Sequence, residues 1–137
     1  MELKGKRALV TGSGVRVGRA VALALAGRGA HVAVHYNRSR KGAEATAGEI
    51  RALGVETAAV RGDLSRAEGV ESVAREAETA LGPLDVLVNG ASIYERKPFE
   101  ELTEEDWDRN FAIHAKAPFL LARRLGPGRR ERGGGKI

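Results

Sequence analysis

Four short apolar runs, each ending in a polar stretch and each followed by a segment of helical periodicity, constrain this chain more than any other feature. Arg7–Thr11, "RALVT", stops at a glycine turn and reads as a buried strand. In Val15–Ala26, Val17, Val21 and Leu25 recur every fourth residue with small alanines between them, which predicts a helix able to lie close on a sheet. His31–Tyr36 is a second strand, and Ser39 can cap a helix that runs to about Leu53 and stops at Gly54. Val55–Arg61 is a third strand. "SRAE" at Ser65–Glu68 reads as a capping box that opens a helix ending at Gly82-Pro83. Leu84–Asn89 is a fourth strand. "TEED" at Thr103–Asp106 is a second capping box, opening a helix to about Leu125 that Pro118 should kink or interrupt.

Strands that alternate with helices imply parallel pairing through right-handed crossovers. The expected fold is therefore α/β, a doubly wound parallel sheet of Rossmann type, incomplete at about four strands. In such sheets the ligand crevice lies beyond the carboxyl ends of the strands. The polar stretches Gly12–Gly18, Tyr36–Ser39, Gly62–Leu64 and Asn89–Ser92 all fall at such ends. Residues 1–125 read as one Rossmann-type segment, and 126–137 as a basic, glycine-rich tail leading into the first residues of a fifth strand.

Composition narrows the function classes. The net charge of +5 suggests a polyanion as partner, but its distribution does not. Residues 123–137 carry six cations against one acid, and residues 1–122 carry 17 of each. A nucleic-acid footprint should cover a folded face, so none is expected. There is no cysteine, which removes disulfides, thiol chemistry and zinc–thiolate sites, and the three histidines lack metal-ligand spacing, so no metal is expected. No apolar run approaches the length of a membrane span, and "MELKGKRALV" carries no signal-peptide core, so a cytoplasmic location is expected.

The strand ends carry the chemistry. Gly12, Ser13 and Gly14 form a tight turn, Gly18 lets helix and strand approach, and the following helix aims free amides at a phosphate. Where a dinucleotide site for NAD has an acid after its second strand, this chain reads Tyr36-Asn37-Arg38-Ser39-Arg40-Lys41. That stretch is either a solvated helix start or a cradle for a 2′-phosphate, and cations oppose the dipole at a helix start unless something else requires them. Arg16, in the middle of the first turn, can reach the same phosphate or the pyrophosphate. Asp63 is either an acceptor for an adenine amine or a turn residue ahead of Ser65. Asn89 is a candidate brace between neighbouring strands. Tyr94 and Phe99 are candidates to pack on a flat ligand or to fill local core.

These residues resemble the short-chain dehydrogenase/reductase family, whose first turn reads Thr-Gly-x-x-x-Gly-x-Gly. Here it is Thr11-Gly12-Ser13-Gly14-Val15-Arg16-Val17-Gly18, with arginine in the place of the middle glycine. With "HYNRS" after it, the chain is most similar to the pteridine reductase branch, which uses NADPH. The resemblance implies that Arg16, Val17, Tyr36, Asn37, Arg38, Ser39, Asp63, Leu64, Ala91 and Ser92 touch NADP, and that Tyr94 stacks on the substrate. The family's Asn-Asn-Ala-Gly stands here as Asn89-Gly90-Ala91-Ser92. The asparagine of the family's catalytic tetrad falls at His114, which would hold a water, relay a proton or simply pack the helix. The family's serine and Tyr-x-x-x-Lys lie further along than this chain extends. Neither Tyr36 nor Tyr94 begins such a motif. The resemblance thus implies an NADP-dependent reductase acting on a small carbonyl or imine, a homotetramer in full-length form. The alternatives are a 3-oxoacyl-carrier-protein reductase and a catalytically silent NADP-binding module.

Overall fold

The structure is a computed structural model and describes residues 1–137. Its strands are β1 (Arg7–Val10), β2 (His31–Tyr36), β3 (Thr57–Arg61) and β4 (Val86–Val88). Its helices are α1 (Arg16–Ala26), α2 (Arg40–Ala52), α3 (Ala67–Leu81), α4 (Glu104–Phe111) and α5 (Ala117–Glu131). The sheet is parallel throughout, in the order β3-β2-β1-β4. Leu9 sits between Ala33 on β2 and Leu87 on β4. The reversal of strand order beside β1 is the switch point at which such sheets open a crevice.

Both faces of the sheet are covered, which is why the strand centres are apolar on both faces, with polar residues such as Arg7, His31, His35, Thr57 and Arg61 at or near the strand ends. On one face Leu9, Ala33, Val60 and Leu87 pack against Val70, Val73 and Ala77 of α3 and Ala117, Leu121 and Leu125 of α5. On the other, Ala8, Val10, Val32 and Val34 pack against Ala22 and Ala26 of α1 and Ala43 and Ile50 of α2. The alanines let these two helices lie close. Each fully buried leucine contributes roughly 1.5–3 kcal/mol by leaving water.

Several boundaries differ from the sequence reading. The Ser65–Glu68 capping box does not form. Asp63 Oδ1 accepts from the Ser65 amide at 3.0 Å and from its hydroxyl at 2.7 Å, so that serine is held in a turn and α3 starts at Ala67 without a side-chain cap. The Thr103 box does form, with Asp106 N–H donating to Thr103 Oγ1 and Thr103 N–H to Asp106 Oδ2. The single expected helix from Glu104 is broken by a π-turn at Ala112–Lys116. Pro118 has no N–H for the carbonyl of His114, and its ring crowds that carbonyl, so the chain widens there. α5 then runs through Leu125 to Glu131. Pro127 is exposed, so the hydrogen bond it forfeits is on the solvent side, while Arg124 ties this helix to Glu71 and Glu78 of α3 at 3.1 and 2.9 Å. Beyond the helix Lys136 makes an isolated parallel bridge to Val86, the one contact on the outer edge of β4. Arg129, read from the sequence as part of the basic tail, lies in α5 and is 3% exposed.

No helix is long and apolar enough to cross a membrane.

Candidate functional site

The four polar stretches converge at the carboxyl edge of the sheet, joined by two networks of hydrogen bonds. Thr11 Oγ1 donates to the Val88 carbonyl at 3.3 Å and accepts from the amides of Gly90 and Ala91 at 3.0 Å each. This hydroxyl holds the turn after β4 against the turn after β1. Gly12 lies in the seam with φ of +67°, and a Cβ there would stand 2.7 Å from the Ala91 Cα, so only glycine fits. A side chain at Gly18 would collide with the Gly12 carbonyl, which fixes how closely α1 follows the turn.

Arg16 is the first residue of α1 and the only non-glycine residue with positive φ, at +51°. It therefore takes the left-handed conformation of the glycine it replaces, at a cost of roughly 1–2 kcal/mol. Strain of that kind persists where the surroundings enforce it, and it marks candidate functional positions. Arg16 is exposed and its side chain makes no ion pair or hydrogen bond; Val17 beside it is exposed too. The amides of Arg16 and Val17 have no partner, as expected at the first turn of a helix.

The glycine turn packs on the start of α2. A Cβ at Gly14 would stand 3.3 Å from the Ser39 carbonyl, and one at Gly42 would stand 2.5 Å from the Gly14 carbonyl. Arg16 and the Asn37–Ser39 segment thus flank one seam. Asn37, Arg38 and Ser39 are exposed, and Tyr36 is half-buried. Arg40 is held by Glu44 at 2.7 Å, and Arg19 by Glu49 at 2.6 Å, whereas Arg38 makes no ion pair. Arg16 and Arg38, like Lys41, therefore stand without an ion pair at a β2 end that has no carboxylate of its own. Asp63, after β3, is held below its ordinary pKa, first by the Ser65 hydroxyl and amide and then by the charges of Arg66 and Arg38. Its Oδ2 makes no hydrogen bond.

Other candidate residues have different surroundings from those the sequence suggested. Ser13 is fully buried, its hydroxyl donating to the Val10 carbonyl at 2.6 Å, and Leu64 is buried in the core. Asn89 is exposed and its amide braces nothing; Thr11 does that work. Tyr94 is 89% and Phe99 84% exposed, so neither fills core. Ser92 reaches back to His114, whose Nε2 lies 3.0 Å from the serine hydroxyl and accepts from the Ile93 amide at 3.4 Å. Sequence reasoning missed Thr11 as a site residue, because its partners Val88, Gly90 and Ala91 lie far along the chain.

A parallel α/β sheet with a glycine turn, unpaired cations and an open carboxyl edge defines a dinucleotide-binding class of protein. The comparisons make this specific. The family model of short chain dehydrogenases matches residues 6–137, and the chain belongs to that family. It is 41% identical over 120 residues to the hydroxynaphthalene reductase-like protein Arp2 of Metarhizium robertsii, covering 88% of this chain and 45% of that protein. Among solved structures, a short chain dehydrogenase from Burkholderia cenocepacia in complex with NADP superposes with a TM-score of 0.88 at 34% identity, covering 93% of this chain and 52% of the other. The L-sorbose reductase of Gluconobacter frateurii, complexed with NADPH and L-sorbose, superposes with a TM-score of 0.90 at 32% identity, covering 98% and 52%. The chain spans about half the length of these relatives.

Proposed function

We propose that this chain binds NADP(H) and supplies the cofactor half of a reductase acting on a small carbonyl or imine. The observation that carries the reading is the pair of uncommitted guanidinium groups, Arg16 and Arg38, at a β2 end without an acid. A 2′-phosphate needs forked cationic donors, and an acid in that place would repel it. The residues fit the group. The free amides of Arg16 and Val17 and the dipole of α1 suit the pyrophosphate. Arg38 and Ser39 suit the 2′-phosphate, and the free oxygen of Asp63 suits an adenine amine. The turns of Gly12–Gly14 and Asn89–Ser92 line the route toward the nicotinamide. NADP complexes of two structural relatives support the same choice.

When bound, the cofactor supplies a hydride. The chain's own residues bind, orient and hold it. Thr11 keeps the Gly90–Ala91 turn in place, and His114 anchors Ser92 from the tetrad position. No residue here occupies a Tyr-x-x-x-Lys pair, so this chain offers no proton donor of that kind. The pteridine-reductase-like reading rests on Arg16, on "HYNRS" and on the exposed ring of Tyr94. The hydroxynaphthalene reductase-like relative favours a flat aromatic ketone as a second reading. An exposed Tyr94 suits either, because both substrates present a ring face.

The test is titration of the chain with NADPH and NADH, followed by nicotinamide fluorescence. NADPH should bind at least tenfold more tightly, a difference of about 1.4 kcal/mol, and Arg38→Ala should erase most of that preference. Equal affinities in the parent chain would reject the reading.

A further inference from the structure

His35 is buried at the end of β2, 2% exposed, and the function described so far gives it no task. Its ring bridges two turns. The Gly12 amide donates to Nδ1 at 3.0 Å, and Nε2 lies 2.9 Å from the Gly62 carbonyl. An amide can only donate and a carbonyl can only accept, so Nδ1 is the bare nitrogen and Nε2 carries the proton. The backbone of the same residue grips the first turn twice more. His35 N–H donates to Ser13 Oγ at 3.1 Å, and the His35 carbonyl accepts from Ser13 N–H at 3.0 Å.

β1 and β3 are not neighbours in the sheet; β2 lies between them. No ladder therefore sets the distance between the turn after β1 and the turn after β3. The imidazole does so directly, from Gly12 across to Gly62, whose neighbour is Asp63. We propose that His35 is a positioning residue that clamps these two turns together, so that the amide-lined first turn and the Asp63 carboxylate stand at the separation one dinucleotide requires. The clamp works through the neutral Nε2–H ring. Protonating Nδ1 would set an N–H against the Gly12 N–H and open it. Burial lowers the His35 pKa, the Gly62 carbonyl pulls weakly the other way, and no charged side chain adds to either effect, which keeps the ring neutral. The groups packed on it, Gly12, Ser13 and Gly62, are uncharged, and Asp63 is turned toward Ser65.

The assignment of a dinucleotide to these turns rests on the proposed function, so the experiment separates the two. Nitrogen-15 NMR of the 137-residue chain without cofactor should show Nδ1 unprotonated and Nε2 protonated at pH 7; the reverse tautomer would overturn the clamp whatever the ligand. His35→Leu removes both ring bonds, and His35→Asn keeps an acceptor for Gly12. In the leucine variant the Gly12 amide should exchange about tenfold faster, and NADPH should bind roughly five- to tenfold more weakly, the range expected for losing about one net hydrogen bond. Adenosine 2′-phosphate, which touches only one end of the site, should lose less than twofold. The asparagine variant should recover most of the Gly12 protection. Equal losses for NADPH and adenosine 2′-phosphate would mean a merely structural histidine and would sink the proposal, as would unchanged Gly12 exchange. If His35→Leu does not fold, the tautomer and the asparagine variant decide. Failure of the parent chain to bind NADPH would reject the cofactor reading, and with it the dinucleotide spacing inferred here.

Discussion

The Ser92 hydroxyl and the His114 Nε2 lie 3.0 Å apart, and the Ile93 amide points at the same nitrogen from 3.4 Å. The other ring nitrogen, Nδ1, donates to the Asn110 carbonyl at 3.0 Å. The histidine therefore ties the turn after β4 to the last turn of α4. The π-turn containing His114 comes from Pro118 four residues on, so the bend and the anchor belong together. His114→Ala should destabilise the chain by roughly 0.5–1 kcal/mol, the net worth of such bonds at an exposed site, and should speed exchange of the Ile93 amide. Urea unfolding and amide exchange check this. A change of only a few tenths of a kcal/mol would leave His114 without a structural task.

Arg16→Gly separates strain from binding. Glycine relieves the left-handed conformation, worth roughly 1–2 kcal/mol, but returns about 0.4–1 kcal/mol of disorder to the unfolded chain. The second offsets much of the first, so the urea midpoint should stay in place or rise slightly. NADPH affinity should nevertheless fall several-fold, and its steep salt dependence should flatten. A variant that is clearly less stable would show that Arg16 makes contacts that hold the native turn.

The alternation of strands and helices was legible because both faces of the sheet are buried and the helical stripes repeat every third or fourth residue. The Gly12–Gly18 turn and the missing acid after β2 were legible because each is local. The clamps were not. Thr11 meets Gly90 and Ala91, and His35 meets Gly12 and Gly62, across dozens of residues, and a lone threonine or histidine carries no mark of that. The Ser65 box failed for a similar reason: a pattern that fits a cap says nothing of Asp63, two residues earlier, which competes for the same hydroxyl and amide. The burial of Arg129 was not legible either, because it depends on the extension of α5 that carries the residue under Gly135.

Acid should loosen the start of α4 before the rest of the fold. Asp106 is held down to about 2, chiefly by Lys97 at 2.8 Å and then by the Thr103 amide, and Lys97 is raised in return. A carboxyl whose folded pKa is depressed adds stability that is complete above its unfolded pKa and is lost as pH falls through the folded one. The window here runs from about pH 4 down to about pH 2. Asp106→Asn should be less stable than the parent at pH 6, and the gap should close across that window. Urea midpoints at pH 6, 4 and 2.5 measure it, and a gap that stays constant would mean the ion pair and cap do not set this pKa.

The chain should associate with itself. Trp107, Phe111 and Phe119 are 64%, 51% and 60% exposed, and the first two stack with ring centroids 4.5 Å apart. Together they offer roughly 300 Å² of aromatic surface per copy. Two copies would thus cover about 600 Å², about half of the roughly 1,200 Å² at the lower limit of a specific interface. The rings alone therefore give weak association, tighter only if the outer edge of β4, bridged by Lys136, pairs as well. Sedimentation velocity from 1 to 100 µM tests this, with the emission of Trp107, the only tryptophan, as a local reporter. The sedimentation coefficient should rise with concentration, and the emission should shift to the blue as the ring leaves water. Phe111→Glu with Phe119→Glu should hold the chain monomeric if the helix face is the contact, and should leave the rise intact if the strand edge is. A single sharp monomer boundary across the range, with one cooperative urea transition, would show that the four strands close their own core and that neither surface is used.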